Sequence, residues 1–193
     1  MKIFPLRDIL IIHTFQHQFR FSDIMKIAMI VAMDEEGAIG DSGRIPWRIK
    51  SDMERFRSIT VGDGYNSVVM GRKTWDSLPD TFRPLPERNN IVMSRDTNWS
   101  EEGAETALYV GRAIEIAFAE GSDECWIIGG SQIYEMFIDR VEEIHVTRVH
   151  TKSDGDVSFP HWDKTEWSEE KIESRNIDSD NEYETTYSIW TKV

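Results

Sequence analysis

The chain has 193 residues, 39% of them hydrophobic and 11% aromatic, which fits one globular domain and excludes a disordered segment. Its net charge of −13 argues against binding to nucleic acid or anionic membranes, and no apolar run approaches the ~20 residues that span a bilayer. A single cysteine, Cys125, excludes an intramolecular disulfide, so a reducing, cytoplasmic compartment is expected.

Residues 1–24 are interpreted as an N-terminal extension of unknown role. They contain the short apolar patch ILII, but His, Gln and Arg follow it and the small-residue cleavage pattern of a secretory signal is missing. The pattern of a folded domain begins at Met25 with MKIAMIVAMD. We therefore predict one domain over 25–193.

Short apolar runs alternate with segments of helical period from Met25 onward. Strands are predicted over 26–33, 66–71, 89–94, 106–110, 124–130 and 142–149, and helices over 51–60, 72–78, 111–121 and 131–139. The segments 166–177 and 182–193 alternate with period 2 around the polar turn DSDN, which predicts an antiparallel hairpin at the surface. This order predicts an α/β fold whose central sheet is mostly parallel, with an antiparallel edge.

The signatures of several common sites are missing. There is no Walker-type lysine loop, C-x-x-C or H-E-x-x-H motif, and the five histidines are scattered, so no metal site is expected. No G-x-G-x-x-G follows the first strand. A bound dinucleotide is therefore not expected to be held in the Rossmann manner.

Three junctions between a strand and a helix could instead bind phosphate groups. MGRKTW (70–75) and MSRD (93–96) place basic and hydroxyl side chains at strand ends, although each is also consistent with an ordinary solvated surface. IIGGSQIYEMF (127–137) places two adjacent glycines before a helix, where a ligand can approach the backbone closely. Ligands of α/β sheets usually lie at such carboxyl ends of strands.

Asp52 allows two interpretations. The tetrapeptide SDME predicts a capping box with Ser51 as N-cap and Glu54 at N3, which places Asp52 in the first helical turn on the face of Phe56. The carboxylate could simply favour the helix dipole. Alternatively, it could lie with Phe56 in a half-apolar pocket closed by Trp47 and clamp a flat heterocycle through two hydrogen bonds. Burial would then raise its pKa, whereas the helix start would lower it.

The chain resembles dihydrofolate reductase through seven motifs in the family's order: AIGDSGRIPW, SDMERF, MGRKTW, RPLPERNNIVMSR, IIGGSQIYE, EIHVTRV and GDVSFP. The resemblance covers essentially all of 25–193. It implies a three-layer αβα dihydrofolate reductase-like fold and reduction of 7,8-dihydrofolate to 5,6,7,8-tetrahydrofolate by hydride transfer from NADPH. It also implies a monomer that takes dihydrofolate and antifolates as ligands.

The resemblance also implies the site residues. Asp52 matches the family's single active-site acid, which orients the pterin and promotes protonation of N5, with Trp47 and Thr147 orienting the acid and a water. The implied substrate-binding residues are Ile30, Ala32, Asp52, Phe56, Leu78, Leu85, Arg88, Ile128, Tyr134 and Thr147. The implied NADPH-binding residues are Ala32, Ile39, Gly40, Ile45, Gly71, Arg72, Lys73, Thr74, Ser94, Arg95, Gly129, Gly130, Ser131, Gln132, Ile133 and Tyr134. Residues 39–45 match the mobile loop that closes over the nicotinamide.

One departure and two rival interpretations remain. The segment around 79–83 is longer than the compact family version, so Arg83 could assist or replace Arg88, which matches the arginine that grips the glutamate carboxylate of folate. A pyrimidinone reductase of riboflavin synthesis shares this fold and cofactor, but would not be expected to combine Trp47 with Asp52. A non-catalytic nucleotide- or pterin-binding protein would bind NADPH without turnover.

Overall fold

An eight-stranded sheet organises the part of the chain that the computed structural model describes, residues 25–193. The predicted extension 1–24 lies outside the described residues. The strands are β1 Lys26–Met33, β2 Ala38–Gly40, β3 Ser67–Gly71, β4 Asn89–Met93, β5 Ala104–Ala107, β6 Glu124–Gly129, β7 Glu143–Val149, β8 Val157–Ser158, β9 Trp167–Arg175 and β10 Thr185–Lys192. The α-helices are α1 Lys50–Val61, α2 Arg72–Ser77, α3 Val110–Ala119 and α4 Ser131–Phe137, and short 3₁₀ helices cover Asp80–Phe82 and Lys164–Glu166.

The strand order in the large sheet is β5-β4-β3-β6-β1-β7-β10-β9. All neighbours from β5 to β7 are parallel, whereas β10 runs antiparallel to both β7 and β9. The predicted mostly parallel sheet with an antiparallel C-terminal hairpin is therefore confirmed. The strands β2 and β8 form a separate antiparallel pair beside it.

Helices cover both faces of the sheet. Successive side chains of a strand point to opposite faces, so one strand contributes to both cores. On β1, Ile27, Met29 and Val31 pack in one core with side chains of α3 and α4. Ala28 and Ile30 pack in a second core on the opposite face, with side chains of α1 and α2. The near-continuous apolar sequence of β1 serves both cores. The three-layer αβα architecture is thus confirmed.

The strand predicted over 106–110 is wrong in its boundaries, since β5 ends at Ala107. Leu108 and Tyr109 are 47% and 57% exposed and lead into α3. The physical reason is the neighbouring strand: β4 ends at Met93, which pairs with Ala107 in register. The apolar residues beyond that point have no strand to pair with, so β-propensity alone misplaced them.

Residues 25–193 include no helix that is long and apolar enough to cross a bilayer. Within the same range, no group of three or more His, Cys, Asp or Glu side chains is placed to hold a metal ion. Cys125 is fully buried in β6, and burial raises the pKa of its thiol to about 12. This cysteine is therefore a protonated core residue.

Candidate active site

Asp52 lies in the first turn of α1, as predicted, but the predicted capping box is wrong. The N-cap is Ile49, two residues before the predicted Ser51, and it makes no side-chain capping hydrogen bond. Ser51 instead donates from its backbone N and its Oγ to Oδ1 of Asn181, at 3.1 and 2.8 Å. A side chain from a distant loop thus supplies the acceptor that the local motif was expected to supply.

The turn that contains Asn181 is part of the support of α1. Asn181 is only 3% exposed, and both its backbone N and its Nδ2 donate to Oδ1 of Asp178, at 2.8 and 2.9 Å. Next to it, the backbone N of Lys50 donates to the carbonyl of Asp180 at 3.0 Å. The segment predicted as a surface turn therefore fixes the helix that carries Asp52.

The Asp52 carboxylate is shielded, with 17% of its side chain exposed. Burial raises its pKa above the ordinary value, while the hydroxyl of Thr147 and the guanidinium of Arg55 oppose that shift. Thr147 lies on β7, level with Ala32 on β1 and with Tyr187 on β10. The acid therefore lies over the middle of three adjacent strands.

An apolar wall accompanies the acid. Most of the hydrophobic residues predicted to bind substrate join one cluster: Ile30, Phe56, Leu78, Leu85 and Ile128. Trp47 is not in that cluster but packs with Ile49 and Val149, against which Ala32 also lies. It therefore approaches the site from the Ala32 side and not through Phe56, and its predicted role in orienting Asp52 stays a prediction.

The two arginines proposed for the folate tail have different surroundings. Arg88 donates from Nη1 to Oγ1 of Thr60 at 2.8 Å, and its Cζ lies 5.8 Å from the ring centroid of Phe56. Arg83 donates from Nη2 to Oδ1 of Asp80 at 2.7 Å. Arg88 is thus anchored beside the apolar wall, whereas Arg83 is paired within the longer segment itself.

The paired glycines, Gly129 and Gly130, let side chains of α2 and α4 lie close to the backbone. Gly129 has φ +98° and is joined to Gly130 by a cis peptide. A Cβ on Gly129 would lie 2.7 Å from the ring of Tyr134, and one on Gly130 would lie 3.4 Å from Oγ1 of Thr74. A Cβ on Gly71 would likewise lie 3.1 Å from a side chain of α4. Only glycines let the starts of α2 and α4 approach the strand ends so closely.

The residues expected at the cofactor phosphates lie at the surface, except for Ser94, and one of them is near acids. Ser94 is buried and accepts a hydrogen bond from the backbone N of Asp96 at 3.1 Å. Arg72, half exposed, has Nη1 3.8 Å from Oδ2 of Asp96. Lys73 and Arg95 are exposed. Arg72 also has Nε 3.7 Å from Oδ2 of Asp76. Three cations are therefore available at these two junctions, and the two carboxylates near Arg72 are half-exposed surface groups at long ion-pair distances.

The first turn of α4 and the predicted loop share an anchor. This turn holds the remaining predicted cofactor residues, Ser131, Gln132 and Ile133. Ser131 donates from Oγ to the carbonyl of Ser158 on β8 at 2.6 Å. Since β8 pairs with β2, the start of α4 and the strand that leads into the loop are connected through one short strand.

The segment predicted to be a mobile loop, 39–45, is held at one end and exposed at the other. Gly40 is the last residue of β2, and Ile39 packs against the core. The backbone N of Ser42 donates to Oδ1 of Asp156 at 3.1 Å, while Ile45 is 55% exposed. Few contacts with the rest of the protein oppose a conformational change in the exposed half of the loop.

Sequence reasoning missed three side chains next to the acid. Arg55 has Nη1 3.6 Å from Oδ1 of Asp52, and its spacing of three residues was a usable signal because such positions face each other on a helix. Glu173 and Tyr187 contact Arg55 from β9 and β10. Nothing near them in the sequence indicates that role.

Known proteins match the chain over most of its length. The dihydrofolate reductase family model matches residues 26–192. The dihydrofolate reductase of Staphylococcus haemolyticus is 37% identical over 171 residues, covering 88% of this chain and 97% of that protein. That of Mycobacterium leprae is 42% identical over 142 residues, covering 72% of this chain and 83% of that protein.

A solved structure agrees with this match. The dihydrofolate reductase from Enterococcus faecalis, complexed with NADP(H) and RAB-propyl, aligns with a TM-score of 0.72 and 28% identity. The alignment covers 86% of this chain and 96% of that one. The α/β fold of the chain agrees with these similarities. The chain belongs to the dihydrofolate reductase family.

Proposed function

We propose that the chain reduces 7,8-dihydrofolate to 5,6,7,8-tetrahydrofolate with NADPH, and that Asp52 orients the pterin and promotes protonation of N5. Family membership supports the reaction and the cofactor. The position of Asp52 supports its assignment as the acid. We further propose that the chain acts as a monomer.

One observation carries the assignment of the acid. The Asp52 carboxylate is shielded from bulk solvent, and it lies close enough to Tyr134 for its charge, after burial, to raise the pKa of that phenol. The Tyr134 ring packs against Gly129, and its hydroxyl donates to the carbonyl of Ile30 at 2.8 Å. The acid and the paired glycines therefore border one site.

The chemistry of a pterin suits this acid. A carboxylate offers two oxygens to the adjacent amino and N3–H donors on one edge of the ring, while Thr147 holds the carboxylate from β7. The apolar wall that includes Phe56 and Leu85 accepts the flat faces of the ring. Arg88, beside Phe56, is placed to pair with a carboxylate on the folate tail.

The residues present also fit NADPH. The glycines at the strand ends, Gly71 and Gly129, let the start of α4 pack closely against the sheet edge. The cations Arg72, Lys73 and Arg95 offset the charge of phosphates in an otherwise acidic protein. NADPH, when bound, supplies a hydride from nicotinamide C4 to pterin C6. Closure of the loop at 39–45 would exclude water from that end of the site.

The replacement Asp52→Asn tests the proposal. It keeps the size of the side chain but removes its charge and its capacity to carry a proton, so kcat/KM for dihydrofolate near neutral pH should fall at least ~100-fold. NADPH affinity should not change. Both are measured by NADPH absorbance with dihydrofolate and by NADPH titration without it.

Glu54→Gln is the matched control, because Glu54 lies on the same helix with 68% of its side chain exposed. It makes the same change in net charge and should alter kcat/KM less than about twofold. An Asp52→Asn variant with the kcat/KM of the wild type would remove Asp52 from the reaction. A wild-type protein that oxidises NADPH no faster when dihydrofolate is added would support the non-catalytic binding protein instead.

A further inference from the structure

Arg55 lies one helical turn after Asp52, and its guanidinium is buried against the acid. Nη1 of Arg55 is 3.6 Å from Oδ1 of Asp52, with 12% and 17% of the two side chains exposed. Within 25–193, this Nη1 is a buried side-chain nitrogen without a hydrogen-bond acceptor. A buried cationic nitrogen left without a hydrogen bond is costly. Electrostatic attraction to Asp52 is the interaction that offsets this cost.

Two strands of the antiparallel edge hold the guanidinium in this position. Nη2 of Arg55 donates to Oε2 of Glu173 on β9. The ring of Tyr187 on β10 stacks under the guanidinium, with its centroid 4.3 Å from Cζ, which is a cation–π contact. Glu173 is shared, because Nε of Arg175 also donates to it at 2.8 Å. Arg55 is therefore not fully neutralised by its partner.

We propose that Arg55 is a positioning residue that keeps the Asp52 carboxylate in its charged form in the free enzyme, with Glu173 and Tyr187 holding the guanidinium in place. The inference rests on the proposed function and deepens it, since it assigns what controls the protonation of the acid. Without Arg55, burial would shift Asp52 toward the neutral acid and weaken its grip on the two donors at the pterin edge.

The other groups around Asp52 do not supply this charge. Thr147 faces it from β7 with a hydroxyl, which favours the carboxylate but carries no charge. Tyr134 on α4 and Tyr187 on β10 are phenols; burial raises the pKa of both, that of Tyr187 to about 12. Both therefore stay neutral over the working pH range. Among residues 25–193, Arg55 is the cation that acts on the acid.

The charges beyond Tyr187 are farther away and mutually paired. Oη of Tyr187 lies 2.6 Å from Nδ1 of His145, whose Nε2 contacts Glu143 at 2.5 Å. The hydrogen bond with His145, and then Lys26, hold the pKa of Glu143 at about 2. Lys26 pairs with Glu143 at 2.6 Å. These groups are separated from Asp52 by a neutral ring.

Two substitutions with opposite expected effects test the inference. Arg55→Met keeps the stem that packs on Tyr187 but removes the cation, so the pKa of Asp52 should rise by about one to two pH units. Glu173→Gln removes the countercharge, so the pKa of Asp52 should fall. Arg55→Lys restores a cation but not the planar fork that stacks on Tyr187, so the pKa should return only part of the way to that of the wild type. If Arg55 and Glu173 had only a structural role, the two substitutions would not shift the pKa of Asp52 in opposite directions.

The direct measurement is a carbon-13 NMR titration of carboxyl-labelled aspartate in the free enzyme. The Asp52 resonance is assigned by its loss in Asp52→Asn. Arg57→Met is the matched control, since Arg57 is on the same helix, 64% exposed and paired with Glu87; it makes the same charge change and should leave the resonance unchanged. In a plot of kcat/KM against pH, the apparent pKa on the acid side should shift among the variants in the same direction as the NMR midpoint of Asp52.

A midpoint for Asp52 that is unchanged or lower in Arg55→Met would overturn the inference. If that variant does not fold, Glu173→Gln decides: a midpoint that does not fall also overturns it. The titration needs no substrate, so it judges Arg55 even if dihydrofolate reduction itself fails. Absence of turnover in the wild type refutes the proposed function and not the electrostatic role of Arg55.

Discussion

The substitution Asn181→Ala removes the side chain that caps α1 from outside the helix. In the variant, the backbone N–H and the hydroxyl of Ser51 lose their acceptor, at sites where Ser51 is 8% and Asn181 3% exposed. A buried unpaired polar group costs roughly 1–3 kcal/mol, and a lost N-cap costs about 1 kcal/mol. Because the hydroxyl can rotate but the N–H cannot, we expect a loss of about 2–3 kcal/mol in unfolding free energy.

Urea denaturation followed by far-ultraviolet circular dichroism measures this loss as a lower midpoint at unchanged slope. A double-mutant cycle with Ser51→Ala isolates the pair, and the two substitutions should cost less together than the sum of their separate costs. Asp180→Ala is the control, because it removes only the exposed ion pair with Lys50 and should cost less than ~1 kcal/mol. A loss below ~0.5 kcal/mol for Asn181→Ala, or strict additivity with Ser51→Ala, would refute the capping role.

Two further substitutions test the glycine pair and the carboxylate of Asp34, which accepts hydrogen bonds from Glu36, Ala38 and Ser153. Burial tends to raise the pKa of Asp34, but the hydrogen bonds from Ser153 and two other backbone groups outweigh it and the pKa lies below its ordinary value. Its stabilisation is therefore complete above an unfolded pKa of about 3.9 and is lost as pH falls through the lower folded value. Asp34→Asn should lower the unfolding free energy by about 2–4 kcal/mol at neutral pH. In urea titrations, the difference in unfolding free energy between wild type and variant should become smaller below about pH 4. A difference that does not change with pH would contradict this. Gly129→Ala should cost at least ~2 kcal/mol in thermal unfolding, since its Cβ would lie 2.7 Å from the Tyr134 ring at φ +98°, whereas Gly130→Ala should cost less; equal costs would contradict the argument.

The sequence predicted most strands of the sheet, because the pattern of apolar residues within each strand is a local signal. The run 26–33 matches β1 without error, since all its residues pair and pack on both faces. The error at 106–110 came from a neighbour, because β4 ends level with Ala107 and residues beyond have nothing to pair with. Strand length is thus set by the partner as well as by the strand's own sequence.

The site was predicted less completely, because some of its contacts come from residues that are distant in the sequence. Asp52 and Arg55 lie on one helix, so their spacing alone brings them together. Asn181, in contrast, reaches Ser51 across 130 positions of the chain, and Glu173 reaches Arg55 across 118. The predicted capping box and the distant Asn181 both offer an acceptor to the backbone N–H of Ser51, so no local pattern can distinguish them.

The dependence of α1 on the last two strands has a consequence for biosynthesis. A ribosome releases α1 and most of the parallel sheet before it releases β9 and β10. Until then α1 lacks its contact with Asn181, and Arg55 lacks Glu173 and Tyr187. The surroundings of Asp52 and Arg55 seen in the folded chain are therefore complete only when translation is nearly finished. A premature stop codon upstream of β10 would leave a scaffold that can still begin to collapse but lacks the environment its acid requires.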